Sequence, residues 1–519
     1  MTRLLRSEFK QARKRCWTKV QQVGGEATWA ACVLIFRMVS ARVTANKKPK
    51  LKAHFKEGCI RSPSNLSNRT SGHLLRILGA GFGIAVGVGN TIGTGILRTP
   101  GEVASHVGSA SLFFFVWFLG GAYALLCSSS VTELGTMLPV TGGWYVYSRR
   151  AFGERIGFVV GCCDWVVQSV ATAYLAVAFG EFVAGFYPGL TAHVQMTGVA
   201  VLVFLASLNW VGLRMGSRAQ ELTSLVKAAG LLALVAACFI VSPKTPVTSL
   251  PSLSDSFMNK HNMFLGLVLA LQGVVVTYDG WYAPIYFVEE DRNPSRNLPR
   301  AMVGTALSCI VIFLLVNAAL FHTLHLNGLM ASQNPAADAA MLMFGYNGKR
   351  AILLISLITA ISTINAALLY TPRILFAMAR NGLMPQNVSS VNKGGTPSVA
   401  LWLCTFASIV LVLTGTFDSL VAVASILFVA LYLSGFASLM VLRKKEPELP
   451  RPYQAWWYPW STVVIIAASS FFLIGSIIGD LKHSAFTVLL VLSSYAAFRL
   501  IRVPQPPLKA STVPSNSKN

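Results

Sequence analysis

Two charged residues occupy places that a lipid-spanning chain accommodates poorly. Asp279, in Tyr278-Asp279-Gly280-Trp281, interrupts an apolar run from about 262 to 288. Lys227 lies inside the apolar stretch Leu222–Leu234. A carboxylate near mid-membrane costs about 3 kcal/mol on insertion scales, so such a residue points to function by default. Asp279 could hold a substrate amine, carry a coupling proton, or cap the helix half that follows it, since aspartate is a favoured N-cap. Lys227 has two readings: a side chain that snorkels from near a span end, or a buried amine. Burial favours the neutral form of lysine, which suits it to carry a proton.

A third feature is Gly87-Val88-Gly89-Asn90-Thr91-Ile92-Gly93-Thr94-Gly95, inside an apolar run from about 76 to 105. Broken backbone at membrane depth is tolerated only against protein or a water-filled cavity. Two interrupted spans at corresponding positions of two halves are the best sequence pointer to a transporter's binding site. Each half-helix end leaves four backbone groups unpaired. The N–H groups of Gly93, Thr94 and Gly95, at the positive end of a helix half, suit a carboxylate. The carbonyls around Gly89–Thr91 and Val276–Tyr278 suit an ammonium. The candidate substrate site is therefore Thr91, Ile92, Gly93, Thr94 and Gly95 with Val276, Thr277, Tyr278, Asp279 and Trp281. It fits an α-amino acid zwitterion. The competing reading is that the glycines only let helices pack closely.

The elements that must position these residues are membrane helices. Of 519 residues 54% are hydrophobic and 12% charged, with mean hydropathy +0.58. Soluble domains carry roughly twice that charge. The expected fold class is an all-α polytopic membrane protein of about twelve transmembrane helices. They are placed at about 76–105, 111–138, 156–187, 194–213, 219–241, 262–288, 299–325, 350–380, 397–416, 418–442, 457–480 and 484–501. The transporter domain is 76–503, between a basic, disordered cytoplasmic tail at 1–75 and a second tail at 504–519.

The net charge of +24 reads as topology rather than nucleic-acid binding. Of the 43 Lys and Arg, all but the six on the proposed outer side and Lys227 fall in the tails or the other proposed cytoplasmic segments, inner span ends included. That bias places both termini in the cytoplasm. A multi-pass protein of the cell (inner) membrane is expected. The nine cysteines form no ligand-spaced cluster, so neither a disulfide framework nor a metal site is expected. No cofactor motif is present. His322 and His325 read as interfacial histidines, Glu133 and Asp164 as serving cytoplasmic loop packing, and Trp456, Trp457 and Trp460 as an interfacial belt.

Five ordered stretches resemble the amino acid–polyamine–organocation (APC) superfamily, specifically its bacterial-type amino acid permeases. They are Gly89–Ile96; Pro139-Val140-Thr141-Gly142-Gly143-Trp144-Tyr145 with Ala151-Phe152-Gly153; Tyr278–Trp281 with Glu289-Glu290 and Asn293–Pro299; Ala377–Pro385 with Gly395-Thr396-Pro397; and Leu449–Tyr453. The resemblance implies the fold of the sodium-coupled leucine transporter, a 5+5 inverted repeat plus two helices. The breaks, five spans apart, agree with that, because an odd number of spans inverts the second copy. In proton-coupled relatives a lysine at the place of Lys227 fills the position of a sodium ion. The resemblance also brings Ser362 and Thr363, and less directly Asn365, toward it as coupling residues. Heteromeric relatives carry an aromatic gate at the position of Val276 and bond to a glycoprotein heavy chain through a loop cysteine. The matching loop here, Tyr187–His193, has no cysteine, so no disulfide-linked heavy chain is expected. The implied function is secondary transport of amino acids by alternating access, proton-coupled or by exchange. The alternatives are a polyamine or cationic amino acid antiporter, and a non-transporting amino acid sensor. An enzyme is not expected, and the expected partners are an amino acid, the lipid bilayer and possible protons.

Overall fold

The computed structural model describes residues 74–241, 260–415, 417–479 and 481–500. The tails expected at 1–75 and 504–519 lie outside these, apart from Leu74 and Leu75. The described residues form fifteen α-helices. They are α1 (Ala80–Thr91), α2 (Gly95–Val107), α3 (Ala110–Met137), α4 (Trp144–Phe152), α5 (Glu154–Phe186), α6 (Val194–Val211), α7 (Leu213–Ile240) and α8 (Lys260–Thr277). After them come α9 (Pro294–Ala331), α10 (Pro335–Phe344), α11 (Tyr346–Arg380), α12 (Ser398–Thr414), α13 (Phe417–Lys445), α14 (Trp460–Gly479) and α15 (Leu481–Leu500). Among them, eight helices are long and apolar enough to cross a membrane, and α1 with α2, bent by 49° at their break, makes a ninth span. The other segments expected to span, in α8, α12 and α15, fall short in length or apolarity, so the count of twelve remains an expectation.

The two interruptions are real breaks and they touch. Helix α1 ends at Thr91, Ile92 leaves helical geometry at ψ 87°, and α2 restarts at Gly95. Helix α8 ends at Thr277, and the chain turns through Tyr278–Tyr282 into a short 3₁₀ segment, Ala283–Glu290. Gly280 makes the turn possible. Its φ of +108° is open to glycine, and a Cβ there would come within 2.8 Å of the Asn90 carbonyl carbon. The Asn90 amide in turn donates to the Gly280 carbonyl at 3.2 Å.

Helices α5 and α11 sit at the centre. Both carry unbroken buried runs, Cys162–Ala173 in α5 and Ser362–Ala379 in α11. A helix that is apolar all round is one enclosed by protein or lipid on every side. Helices α1 and α7 pack on α11, with α9 against both of them, while α6 and α12 pack on both central helices and α13 on α5. Two elements escaped the sequence reading because they are too short to span: α4, in the loop after α3, and α10, after α9. Helix α9 is kinked where His325 takes φ 53°. His322 lies against the ring of Phe239, with centroids 5.0 Å apart.

Candidate functional site

A cavity of about 610 Å³ runs from the two breaks to one face of the bundle. Asn90, Thr91, Gly93, Thr94 and Gly95 line its floor from one break, and Val276, Thr277 and Asp279 from the other. Arg98, Glu102, Ser105 and Gln333, all exposed, line its mouth. Tyr174, Thr363, Tyr370, Phe428 and Tyr432 close its sides.

Glycines in this region divide into two kinds. In α1 they serve packing: a Cβ at Gly87 would lie 2.7 Å from Thr305 Cγ2, and one at Gly89 would collide with Gln220 and Ser224. In the break they do not. A Cβ at Gly93 would meet only the Gly95 nitrogen at 4.0 Å, and one at Gly95 would lie in ordinary contact with Thr277, 3.4 and 3.5 Å away. A side chain at Gly93 would enter open space and one at Gly95 would rest on Thr277, and both glycines line the cavity. Helix α2 begins without a side-chain cap, so its first N–H groups face that space uncapped. One expected donor is already used: the Gly93 N–H is held by the Thr91 carbonyl at 2.8 Å.

Three of the expected site residues do not line the cavity. Ile92 is fully buried and contributes its carbonyl elsewhere. Tyr278 turns back between Trp117 and Phe313, with ring centroids at 6.1 and 4.8 Å. Trp281 packs among Trp144, Tyr282 and Tyr432. The reason is the turn after Thr277: once the chain leaves α-helical geometry, helical spacing no longer says which way a side chain points. That turn also bears on Asp279. The segment after it is a turn and a 3₁₀ helix whose N-cap is Tyr282, so Asp279 does not cap a following helix half. Its Oδ1 is buried with no hydrogen-bond partner, at the edge of the cavity.

Lys227 does not snorkel. Helix α7 starts at Leu213 rather than near residue 219, which puts Lys227 deeper than expected, and it is 1% exposed. Its ammonium donates to the Gly89 carbonyl at 2.7 Å and the Ile92 carbonyl at 2.6 Å. These carbonyls belong to the broken end of α1, where the helix dipole favours a cation. Thr363 shares the Gly89 carbonyl at 3.2 Å. Ser362 stands one step back, meeting Gln220 at 3.3 Å and Ser224 at 3.4 Å. Asn365 donates to Gln220 at 2.9 Å and accepts from Asn209 at 2.9 Å. Helices α7 and α11 thus hold the end of α1 through one polar network.

Opposite the mouth, the cavity is sealed. Tyr282, at its floor, lies over a layer of Trp144, Trp281, Tyr286 and Tyr370, all at most 2% exposed. Tyr286 donates to both oxygens of Asp164 at 2.9 Å. Gln168 donates to Asp164 at 3.3 Å and to Tyr282 at 3.1 Å, and accepts from Tyr370 at 2.8 Å. Asp164 was expected in loop packing; it lies a third of the way along α5, fully buried, as an acceptor for this layer. Beneath come ion pairs. Glu290 and Arg373, both buried, meet at 2.9 Å, and Glu289 meets Arg380 at 2.6 Å. Burial alone would raise the Glu289 carboxyl, but the hydrogen bonds and charge of Arg380 hold it below its ordinary value. Glu133 joins Arg443, Arg451 and the Ala455 N–H, tying α3 to the segment before α14.

Sequence reasoning missed Tyr174, Tyr282, Tyr370, Phe428 and Tyr432. They come from α5, α11, α13 and the turn after α8, and no local motif joins them. Among the described residues no group of three His, Cys, Asp or Glu side chains could hold a metal ion.

The family model described as amino acid permease matches residues 82–494. The serine/threonine exchanger SteT of Bacillus subtilis is 27% identical over 432 residues, 82% of this chain and 96% of its own length. The b(0,+)-type amino acid transporter 1 of Mus musculus is 27% identical over 77% of this chain and 82% of its own. The cystine/glutamate transporter of Homo sapiens is 24% identical, over 72% and 75%.

Proposed function

This chain belongs to the amino acid permease family and is a multi-pass membrane transporter of amino acids, and on that premise we propose that it works by alternating access through the cavity between its two breaks. The observation that carries the reading is the first break. The uncapped start of α2 lies at Gly93 and Gly95 in the cavity lining, and the ends of α1 and α8, at Asn90–Thr91 and Val276–Thr277, line the same cavity. An α-carboxylate meets the N–H groups of Thr94, Gly95 and Ile96, and an α-ammonium meets carbonyls near Asn90–Thr91 and Val276–Thr277. Charge-assisted bonds of this kind are roughly twice as strong as neutral ones. The wide cavity and the small Val276 leave room for the substrate side chain between Tyr174, Tyr370 and Phe428.

Sidedness follows from charge. The sealed face carries Arg373, Arg380, Arg443 and Arg451 and is read as cytoplasmic, with the mouth at Arg98 outside. Lys227 holds the carbonyls at the end of α1 where a bound cation would otherwise sit, so coupling uses a proton or a second amino acid rather than sodium. The relative named as an exchanger supports exchange.

The buried, unpartnered Oδ1 of Asp279 favours a second reading, a cationic amino acid or polyamine as substrate. Purified protein in proteoliposomes tests both readings. Uptake of labelled amino acids, accelerated by amino acid loaded inside, is the expected result. Binding without uptake for every amino acid tried would replace transport by sensing.

A further inference from the structure

A second hollow lies away from the substrate cavity and shares none of its residues. Trp210, Ser398, Val399, Trp402 and Leu403 line a groove of about 480 Å³ between the end of α6 and the start of α12. Its walls face outward from the bundle. Trp210 is 50% and Trp402 38% exposed, and the helix surfaces that continue from it expose Val211, Phe406 and Leu413. In a multi-pass protein such a surface meets lipid.

Beside the groove is a fixed basic rim. The turn between α6 and α7 is stitched to the loop before α12 by three bonds, and α11 adds a fourth bond to the start of α7. Asn392 donates to the Trp210 carbonyl at 2.6 Å, and Thr396 to the Asn209 carbonyl at 2.9 Å. Leu213 N–H reaches the Gly394 carbonyl at 3.0 Å, and Asn365 donates to the Gly216 carbonyl at 3.3 Å. The backbones touch so closely that a Cβ at Gly394 would lie 2.6 Å from Gly212 Cα. This holds Arg214 and Lys393, the neighbours of Leu213 and Gly394, at one end of the groove, with Arg218 one turn further on. All three are exposed, and among the described residues none has an ion-pair partner. The loop follows Arg380, so the rim is on the sealed face.

We propose that this groove is a binding site for one anionic phospholipid, its acyl chain between Trp210 and Trp402 and its phosphate at Arg214 and Lys393. Tryptophan rings favour the membrane–water boundary, having an apolar body and a polar N–H. Basic clusters at the ends of membrane helices attract anionic headgroups, and basic pockets between such helices select them. A neutral lipid would fill the groove but leave the rim unsatisfied. A protein partner would leave the apolar floor against lipid without need for the basic rim. The site stands independently of which amino acid is carried. It touches α6 and α12, which pack on α5 and α11, the helices around the substrate.

The test uses the full-length protein in detergent micelles with equal amounts of phosphatidylglycerol and phosphatidylcholine of the same acyl chains. Retained lipids are counted by native mass spectrometry. The expected result is preferential retention of phosphatidylglycerol. It should fall by about tenfold or more in the double variant Arg214→Gln/Lys393→Gln, as expected for two basic groups near an anionic surface. Arg214→Lys/Lys393→Arg should keep it. Trp402→Ala should weaken retention of both lipids. Amino acid binding and a single elution peak confirm that each variant is folded. Equal retention of the two lipids by the unmodified protein would overturn the proposal. So would unchanged preference in the double glutamine variant, or glycerol phosphate binding as tightly as the intact lipid.

Discussion

Replacing Gly95 by alanine separates a glycine that serves the ligand from one that serves the fold. A Cβ at Gly95 would make ordinary contacts with Thr277, and Gly95 opens α2 in helical backbone. A glycine-to-alanine change at such a position stabilises by about 0.4–1 kcal/mol, because the unfolded chain loses freedom. Gly95→Ala should therefore leave thermal stability unchanged or slightly raised. On the proposed carboxylate position, however, its methyl group, set against Thr277 in the cavity lining, takes space beside the α2 N–H groups. Loss of one hydrogen bond to a charged group is worth about 1.5–3 kcal/mol, roughly 10- to 150-fold in Kd. Gly87→Ala is the mirror image. Its Cβ would press on Thr305, and overpacking costs about 1–3 kcal/mol, with no direct effect on the ligand. Unfolding temperature with and without substrate, and Kd by isothermal titration, read both effects. Amino acid amides add a control, since they should bind the unmodified protein weakly and lose little further affinity in Gly95→Ala. If Gly95→Ala binds acids normally, or destabilises as Gly87→Ala does, the backbone account of carboxylate recognition is wrong.

Lys227→Ala leaves the Gly89 and Ile92 carbonyls without their cation, so uptake should fall by more than folded yield, and unmodified protein should transport equally in choline and sodium buffers. A strict sodium requirement refutes this. Asp279→Asn should selectively reduce binding of arginine, lysine or polyamines by about tenfold, since Asp279 has no helix to cap; equal affinities in a competition assay would leave it without a substrate role. With no cysteine in Pro188–His193, protein expressed alone should be fully active, an expectation that fails if uptake needs a co-expressed single-span glycoprotein. Because Arg380 holds the Glu289 carboxyl below its ordinary value, their pairing stabilises the protein above the usual carboxylate range and is lost as pH falls through the depressed value. The gap in unfolding temperature between unmodified protein and Arg380→Gln should close in acid; a gap that persists there contradicts the assignment.

The breaks were legible because glycine and aspartate inside long apolar runs have few explanations in lipid. Hydropathy also placed most helices, but it erred where a helix extends beyond the bilayer. The first turns of α7 carry Arg214 and Arg218 and read as loop, which made Lys227 look shallow. The orientation of Tyr278 and Trp281 was not legible, since a turn into 3₁₀ geometry resets the side-chain direction. The aromatic walls were hidden for another reason. Tyr174, Tyr370 and Phe428 resemble ordinary core residues in their own helices, and only the assembly brings them to one cavity. Likewise the partner of Arg373, in the inner part of its span, is not legible until Glu290, distant in sequence, is set against it.

The unequal closure of the two faces has a consequence for measurement. If the proposed site is the substrate's, ligand arriving past Arg98 finds it already formed. Ligand arriving from the other face must wait for the Tyr286–Asp164 bond, the aromatic layer and two ion pairs to part. When a binding-competent state is only a fraction of the population, apparent affinity weakens by that fraction. One site can therefore show two half-saturation constants, tight in right-side-out vesicles and loose in inverted ones. The ratio of the two is a ruler for the free energy between the facing states, and any substitution in the sealing layer should move that ratio while leaving the intrinsic contacts of the ligand alone.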